Sequence, residues 1–168
     1  TGAFGLPLLH KIDPENKKVQ AIVLSPTREL AIQIAKDLKA YAKKLKGVKS
    51  VAVYGGSEIR TQIKALENGC QVVVGTPGRM LDLIRRKKLR VEAIQTLVLD
   101  EADEMLNMGF QEDLDAILAD TPSEKQTLLF SATMPKQMSS MAKKYMNNPA
   151  EIEVGERNSG SKDVEHQY

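Results

Sequence analysis

Two adjacent carboxylates, Asp100 and Glu101, directly follow the apolar run Thr96–Leu99. Such a run predicts a buried β-strand, so both carboxylates would stand at the carboxyl end of that strand. An aspartate held there can orient the water shell of a Mg²⁺ ion, and its neighbour can position or deprotonate an attacking water. Carboxylates also favour the first turn of a helix for electrostatic reasons alone, and without other motifs that explanation is preferred.

Residues suited to binding phosphate occur at three predicted helix N-termini. Free N–H groups and the helix dipole favour anions at such ends, and two arginines add positive charge. The ordinary alternative is that the prolines start helices and the glycines turn the chain, and for each residue taken singly it is the better explanation. The residues are Pro26, Thr27, Arg28, Gly55, Gly56, Thr76, Pro77, Gly78 and Arg79.

Two hydroxyl side chains, Ser131 and Thr133, follow another apolar run at Gln126–Phe130. From the end of a strand they could hydrogen-bond to the acidic loop Asp100–Asp103 and respond to the state of a bound nucleotide. As a pair of hydroxyls they prove little without further motifs.

The elements that would position these residues alternate between short apolar strands and amphipathic helices. Strands that are apolar on both faces, separated by such helices, predict an α/β fold with a parallel sheet covered on both sides. Ser25 and Pro26 are interpreted as the N-cap and first turn of a helix that carries an apolar stripe to Leu45. The predicted strands are Val19–Leu24, Val48–Tyr54, Gln71–Val74, Thr96–Leu99, Gln126–Phe130 and Ala150–Val154, with a helix over Pro135–Tyr145 before the last of them.

Composition indicates one globular domain. The chain has 168 residues, of which 42% are hydrophobic and 27% charged, and its net charge is only +2, so any nucleic-acid surface must be local. Cys70 is the single cysteine, which excludes an internal disulfide and favours a reducing compartment. The apolar start of the chain is too short for a membrane span, so a cytoplasmic, soluble protein is expected. Residues 155–168 have nothing to bury and are predicted to be a linker.

Taken together, these segments resemble the DEAD-box RNA helicases of superfamily 2. One four-residue match is weak evidence, but five in family order and at family spacing are strong evidence. The matching segments are Asp100–Asp103, which reads Asp-Glu-Ala-Asp; Pro26–Leu30, similar to motif Ia; Thr76–Arg79, similar to motif Ib; Ser131–Thr133, similar to motif III; and Gly55–Gly56 with Gln62, together with Met108–Phe110, similar to further signatures.

The resemblance implies a RecA-like domain of the P-loop NTPase class in which Asp100 and Glu101 serve Mg²⁺ and the hydrolysis of ATP. The phosphate-binding candidates would then touch an RNA backbone, which makes binding sequence-independent and sensitive to salt. Contacts to 2′-hydroxyls would favour RNA over DNA. Ser131 and Thr133 would couple hydrolysis to strand separation, partly through Asp103.

The chain departs from the family pattern at its start. Thr1 aligns with the threonine that ends the family's phosphate loop and would be a Mg²⁺ ligand, while the glycines and lysine of that loop have no counterpart. The resemblance therefore implies a chain cut off just after the phosphate loop. Residues 1–154 would form a partial first domain without the phosphate-loop strand, and a second RecA-like domain would begin near Glu165.

Such a partial domain is expected to have no useful ATPase or unwinding activity alone, and to expose sheet edges that invite association. Two alternatives stay open at this point. One is a non-catalytic RNA-binding or protein-docking module, and the other is a DNA-directed helicase of the same superfamily.

Overall fold

The computed structural model describes residues 1–154, so the predicted linker and the predicted start of a second domain lie outside the described residues. None of the helices in this part of the chain is both long and apolar enough to cross a bilayer. The elements are α1 (Gly2–His10), β1 (Ala21–Leu24), α2 (Arg28–Tyr41), a 3₁₀ turn (Ala42–Lys44), β2 (Ser50–Val53), α3 (Ile59–Glu67), β3 (Val72–Gly75), α4 (Pro77–Arg85), β4 (Thr96–Leu99), α5 (Ala102–Asn107), α6 (Gln111–Asp120), β5 (Gln126–Leu129) and α7 (Lys136–Tyr145).

The described strands form one parallel sheet in the order β2-β3-β1-β4-β5, with β1 in the middle. Every residue of the three central strands is buried. Parallel strands need helices on both faces, which explains why these strands are rich in valine, isoleucine and leucine throughout rather than alternating between apolar and polar residues. The predicted α/β fold with a parallel sheet is confirmed.

Two apolar clusters lie on the two faces of the sheet. One face is covered by α1 and α2, which contribute Phe4, Leu8, Ile34 and Leu38. The other is covered by the helices from α3 to α7, whose buried side chains include Met80, Leu83, Met105, Leu114, Ile117 and Met138. Full burial of one such side chain stabilises the fold by roughly 1.5–3 kcal/mol, so both clusters hold the sheet in place.

The second helix starts later and ends earlier than the sequence predicts. Ser25 is not its N-cap, because the Ser25 N–H still donates to Gly75 O at 3.0 Å and so extends the pairing of the strand. Thr27 is the cap, and its Oγ1 accepts from Leu30 N at 3.2 Å. The helix ends at Tyr41 and passes into the 3₁₀ turn, which leaves Leu45 outside the helix.

The prediction of a sixth strand at Ala150–Val154 is wrong. The segment has no strand pairing, and Ile152 and Val154 are 89% and 97% exposed. A space of about 650 Å³ lies between this segment and β5. Its apolar composition favours a strand, but a strand also needs a neighbouring strand, and none of the described strands pairs with this segment. Among the described strands, β5 pairs only with β4, so its other edge is open.

We expect the chain to self-associate through the open edge of β5 as its concentration rises. Gln126 N donates to Gln95 O and Phe130 N donates to Leu99 O, both at 2.8 Å, on the β4 side. Since alternate N–H groups of a strand face opposite sides, Thr127 N faces the open edge. Thr127→Pro removes this donor without breaking a bond to β4, and proline is tolerated on edge strands.

Sedimentation velocity over a wide range of concentrations measures this prediction. The wild-type chain should shift towards faster species at high concentration, and Thr127→Pro should shift much less. Equal behaviour of the two chains, or a wild-type chain that stays monomeric throughout, would show that this edge does not mediate association.

Candidate functional site

The residues that sequence analysis singles out follow the carboxyl ends of the five described strands. The loops begin at Ser25 after β1, Tyr54 after β2, Thr76 after β3, Asp100 after β4 and Phe130 after β5. All described pairings are parallel, so the carboxyl ends of these strands lie together along the carboxyl-terminal edge of the sheet. The prediction that distant segments gather along one edge is confirmed.

The acidic pair sits in a tight turn at the end of β4. Asp100 N donates to Leu24 O at 2.9 Å, which fixes the backbone of Asp100 to the central strand. Glu101 then adopts a left-handed conformation, with φ 50° and ψ 50°, and its N–H donates to Asp100 Oδ1 at 3.1 Å. A non-glycine residue held there costs on the order of 1–2 kcal/mol, and such strain is concentrated at functional sites. The turn leaves the Glu101 side chain exposed.

Asp100 is partly buried, and this burial raises the pKa of its carboxyl above the ordinary value. The positive Thr1 amino group and the Glu101 N–H act in the opposite direction and lower that pKa, but burial is the larger effect.

We expect Asp100→Asn to stabilise the folded chain at neutral pH. The raised pKa means that the folded chain binds this proton more tightly than the unfolded chain, so ionisation of Asp100 costs stability above its unfolded pKa. The asparagine Oδ1 can still accept from Glu101 N. In thermal melts the variant should have the higher Tm at pH 7, and the difference should shrink as the pH falls towards 3.8, the ordinary value for this carboxyl. A wild-type Tm equal to or above that of the variant at pH 7 would contradict the expectation.

Asp103 connects the acidic loop to the loop after β5. Its side chain is buried, and Oδ2 accepts from both the backbone N and the Oγ1 of Thr133 at 3.1 Å. A backbone bond from Ala102 N to Phe130 O at 3.0 Å lies beside this contact. Hydrogen bonds to a charged group contribute roughly 1.5–3 kcal/mol each, so the two loops are held firmly together.

The sequence interpretation treats Ser131 and Thr133 alike, but the structure separates them. Thr133 bonds to the acidic loop as expected, whereas Ser131 Oγ donates to the backbone O of Thr133. The expectation of a direct bond from Ser131 to the acidic loop is therefore wrong. Ser131 lies two residues before Thr133 and instead bonds within its own loop.

The remaining candidate residues surround the loop Tyr54–Ser57. This loop follows β2, on the opposite side of the sheet from β5. The Arg28 guanidinium carbon lies 6.0 Å from the centre of the Tyr54 ring. Both Nη atoms of Arg79 donate to Ser57 O at 3.2 Å. Gly56 has φ 76°, a conformation that favours glycine, and a Cβ built on it would lie 3.9 Å from Arg28 Nη1. Two arginines and a glycine turn thus form one surface, named here the basic surface, on which Arg28 Nε also pairs with Glu29 Oε1 at 3.5 Å.

The other predicted residues of this surface differ in exposure. Thr27, Gly55 and Gly78 are exposed, Thr76 is half-buried, and Pro26 and Pro77 are buried. Thr76 is the N-cap of α4 with Pro77 at its first turn, as predicted, although the Thr76 side chain makes no cap hydrogen bond. The prolines therefore shape the backbone and offer little surface to a ligand.

Two residues of this surface, Tyr54 and Gln62, are not among the predicted site residues, although Gln62 belongs to one of the segments that resemble the family. Gln62 is buried at 6% exposure and bonds to both Tyr54 and Arg79. The sequence does contain a signal, since a glutamine occupies the face of α3 that otherwise carries Ile59, Ile63 and Leu66. A buried amide on an apolar face requires polar partners nearby.

Comparison with known proteins gives consistent matches. The family model described as DEAD/DEAH box helicase matches residues 1–141. The DEAD-box ATP-dependent RNA helicase CshA of Streptococcus pneumoniae serotype 4 is 51% identical over 168 residues, which are 100% of this chain and 32% of that protein. The chain thus spans about a third of the length of this relative.

Solved structures agree with this match. The crystal structure of a DEAD box protein from Methanococcus jannaschii has a TM-score of 0.83 and 47% identity, over 88% of this chain and 40% of that one. Saccharomyces cerevisiae Dbp5, solved bound to Nup159, Gle1, IP6 and ADP, has a TM-score of 0.77 and 35% identity, over 89% and 39% of the two chains. The fold is RecA-like, and the chain belongs to the DEAD/DEAH box helicase family.

Proposed function

We propose that this chain is part of the core of an ATP-dependent RNA helicase, in which ATP hydrolysis is coupled to sequence-independent RNA binding and local unwinding of duplexes. One observation supports the proposal above all: the acidic turn at Asp100–Glu101 is tied through Asp103 and Thr133 to the next loop, on the sheet edge that also carries the basic surface. The names of relatives support it further, since the pneumococcal relative is called an ATP-dependent RNA helicase and Dbp5 was solved with ADP.

In this proposal Asp100 and Thr1 hold Mg²⁺ with ATP. The described residues contain no group of three or more His, Cys, Asp or Glu side chains that could hold a metal by themselves. This fits Mg²⁺, which proteins bind through one or two carboxylates together with substrate phosphates and water. When bound, the ion would neutralise phosphate charge. The partly buried position of Asp100 is compatible with this role, because a nearby cation would favour the ionised carboxylate and so oppose the burial that raises its pKa.

Glu101 positions and deprotonates the attacking water. Its side chain is exposed, and its left-handed backbone places it beyond the end of β4. The nucleotide site is coupled to the rest of the enzyme through Asp103, Ser131 and Thr133. Asp103 accepts hydrogen bonds from Thr133, and Ser131 donates to the Thr133 carbonyl.

RNA lies on the basic surface and is held through its sugar-phosphate backbone. Arg28 and Arg79 supply charge, while Gly55 and Gly56 let the RNA approach the protein backbone closely. Thr27, Thr76 and Gly78 add contacts at the helix N-termini, and Pro26 and Pro77 shape them. Binding is consequently salt-sensitive and independent of base sequence.

The chain alone is expected to hydrolyse no ATP and to unwind no duplex. Its sequence supplies Thr1 but not the lysine and glycines of a phosphate loop, and a second RecA-like domain would supply arginine fingers. A cytoplasmic location is part of the same proposal.

A chimera tests the proposal. The chain replaces the aligned segment of the pneumococcal relative, and ATP hydrolysis is measured with and without RNA. RNA-stimulated hydrolysis and duplex unwinding are the expected results. RNA binding without hydrolysis would instead identify a non-catalytic module, and equal stimulation by matched DNA and RNA oligonucleotides would identify a DNA-directed helicase.

A further inference from the structure

Gln62 occupies the centre of the basic surface without belonging to its solvent-facing part. It lies on α3 and is only 6% exposed. Its Oε1 accepts from Tyr54 N at 3.3 Å and from Arg79 Nη1 at 3.0 Å, and its Nε2 donates to Tyr54 O at 3.1 Å. One side chain therefore contacts the loop after β2 and the helix after β3.

The contacts require an amide at this position. Tyr54 presents both a backbone donor and a backbone acceptor, and only a side chain that accepts and donates can satisfy the two together. A methionine of similar shape would satisfy neither. By holding both backbone groups of Tyr54, Gln62 fixes the start of the Gly55–Gly56 turn and the ring on which Arg28 lies.

The Gln62 side chain also determines which N–H donors of the Arg79 guanidinium remain free. A guanidinium has five N–H donors, and those of Arg79 that face Gln62 Oε1 and Ser57 O are occupied. The N–H of Nε and the adjacent N–H of Nη2 have no hydrogen-bond partner among the described residues. These two donors point to the same side of the guanidinium and match two oxygens of a phosphate.

We propose that Gln62 is a positioning residue for RNA binding, which holds Arg79 with its Nε and Nη2 edge presented to one RNA phosphate. This inference rests on the proposed RNA-binding function of the surface. Holding the guanidinium in place before RNA arrives lowers the conformational entropy lost on binding. Gln62 itself makes no contact with RNA and acts through Arg79 and the Tyr54–Ser57 loop.

The test compares Gln62→Met, Arg79→Met and the double variant of the whole chain. Binding of a labelled oligouridylate is measured by fluorescence polarisation at several salt concentrations. Each single variant is expected to bind about ten-fold more weakly. The slope of log Kd against log salt should fall by about 0.7, which corresponds to one lost phosphate contact on a single strand. The double variant should bind no more weakly than Arg79→Met.

A matched control separates positioning from stability. Ile63→Ala removes apolar packing from the same helix without touching Arg79, so it should lower the Tm but leave the salt slope unchanged. An unchanged slope in Gln62→Met, or additive losses in the double variant, would overturn the inference while leaving RNA binding by Arg79 intact. Equal RNA affinity of the wild-type chain and Arg79→Met would overturn the proposed role of Arg79 itself.

Discussion

Glu101→Gln in the chimera is expected to lower RNA-stimulated ATP hydrolysis by about 10²–10⁴-fold, the usual contribution of a general base. Glutamine has almost the same shape, so the strained turn and the bond from residue 101 N to Asp100 Oδ1 are kept. What is lost is the capacity to accept a proton from the attacking water. Binding of ATP and RNA should change little, so the loss should appear in kcat rather than in KM.

Glu104→Gln is the matched control for this substitution. Glu104 is an exposed carboxylate in the first turn of α5, three residues further along the chain. Its loss should leave hydrolysis within a small factor of the unmodified chimera. Single-turnover measurements separate the chemical step from product release. A Glu101→Gln chimera with near-normal single-turnover hydrolysis would remove Glu101 from the proposed mechanism.

Gly75→Ala is expected to destabilise the chain at the upper end of the range of about 1–3 kcal/mol that overpacking costs. A Cβ at this position would lie 2.4 Å from Val53 O, 2.6 Å from Val53 Cγ2 and 3.0 Å from Met80 Cε. Val53 O cannot easily withdraw, because it accepts from Thr76 N at 3.2 Å and belongs to the strand paired with β3. The clash therefore disturbs the sheet where β2 meets β3.

Gly55→Ala serves as the control for Gly75→Ala. A Cβ on Gly55 meets nothing within 4 Å, so folding should be unaffected, although the added methyl group would weaken the proposed close approach of RNA. Urea unfolding followed by circular dichroism measures both variants. We expect the midpoint to fall clearly for Gly75→Ala and to stay near the wild-type value for Gly55→Ala. Equal midpoints for both variants would show that Val53 moves enough for the sheet to accommodate the added methyl group.

The sequence predicts the sheet well because burial on both faces of a parallel strand leaves a continuous apolar run. Ala21–Leu24, Val72–Gly75 and Thr96–Leu99 each lie in or within one residue of the predicted ranges. Parallel pairing then brings their carboxyl ends to one edge, so the gathering of the candidate site follows from topology alone. The same reasoning fails at Ala150–Val154, since composition does not reveal whether a neighbouring strand is present.

The finer features of the site depend on contacts that no local pattern encodes. The left-handed backbone of Glu101 results from a turn pinned at Leu24 and Phe130, far away in the chain. The choice of Thr133 over Ser131 as partner of Asp103 depends on the path of the loop after β5. The resemblance implied a role for both hydroxyls without distinguishing their partners.

The loops after β4 and β5 are joined at two neighbouring points, through Ala102 with Phe130 and through Asp103 with Thr133. A single hydrogen-bonded contact would let the two loops rotate relative to each other. Two neighbouring contacts resist that rotation, so the two loops can move only together. Any displacement of the acidic turn must therefore move the Ser131–Thr133 segment with it as one rigid unit. The proposed second RecA-like domain would therefore respond to a movement of both loops rather than to the rotation of one side chain.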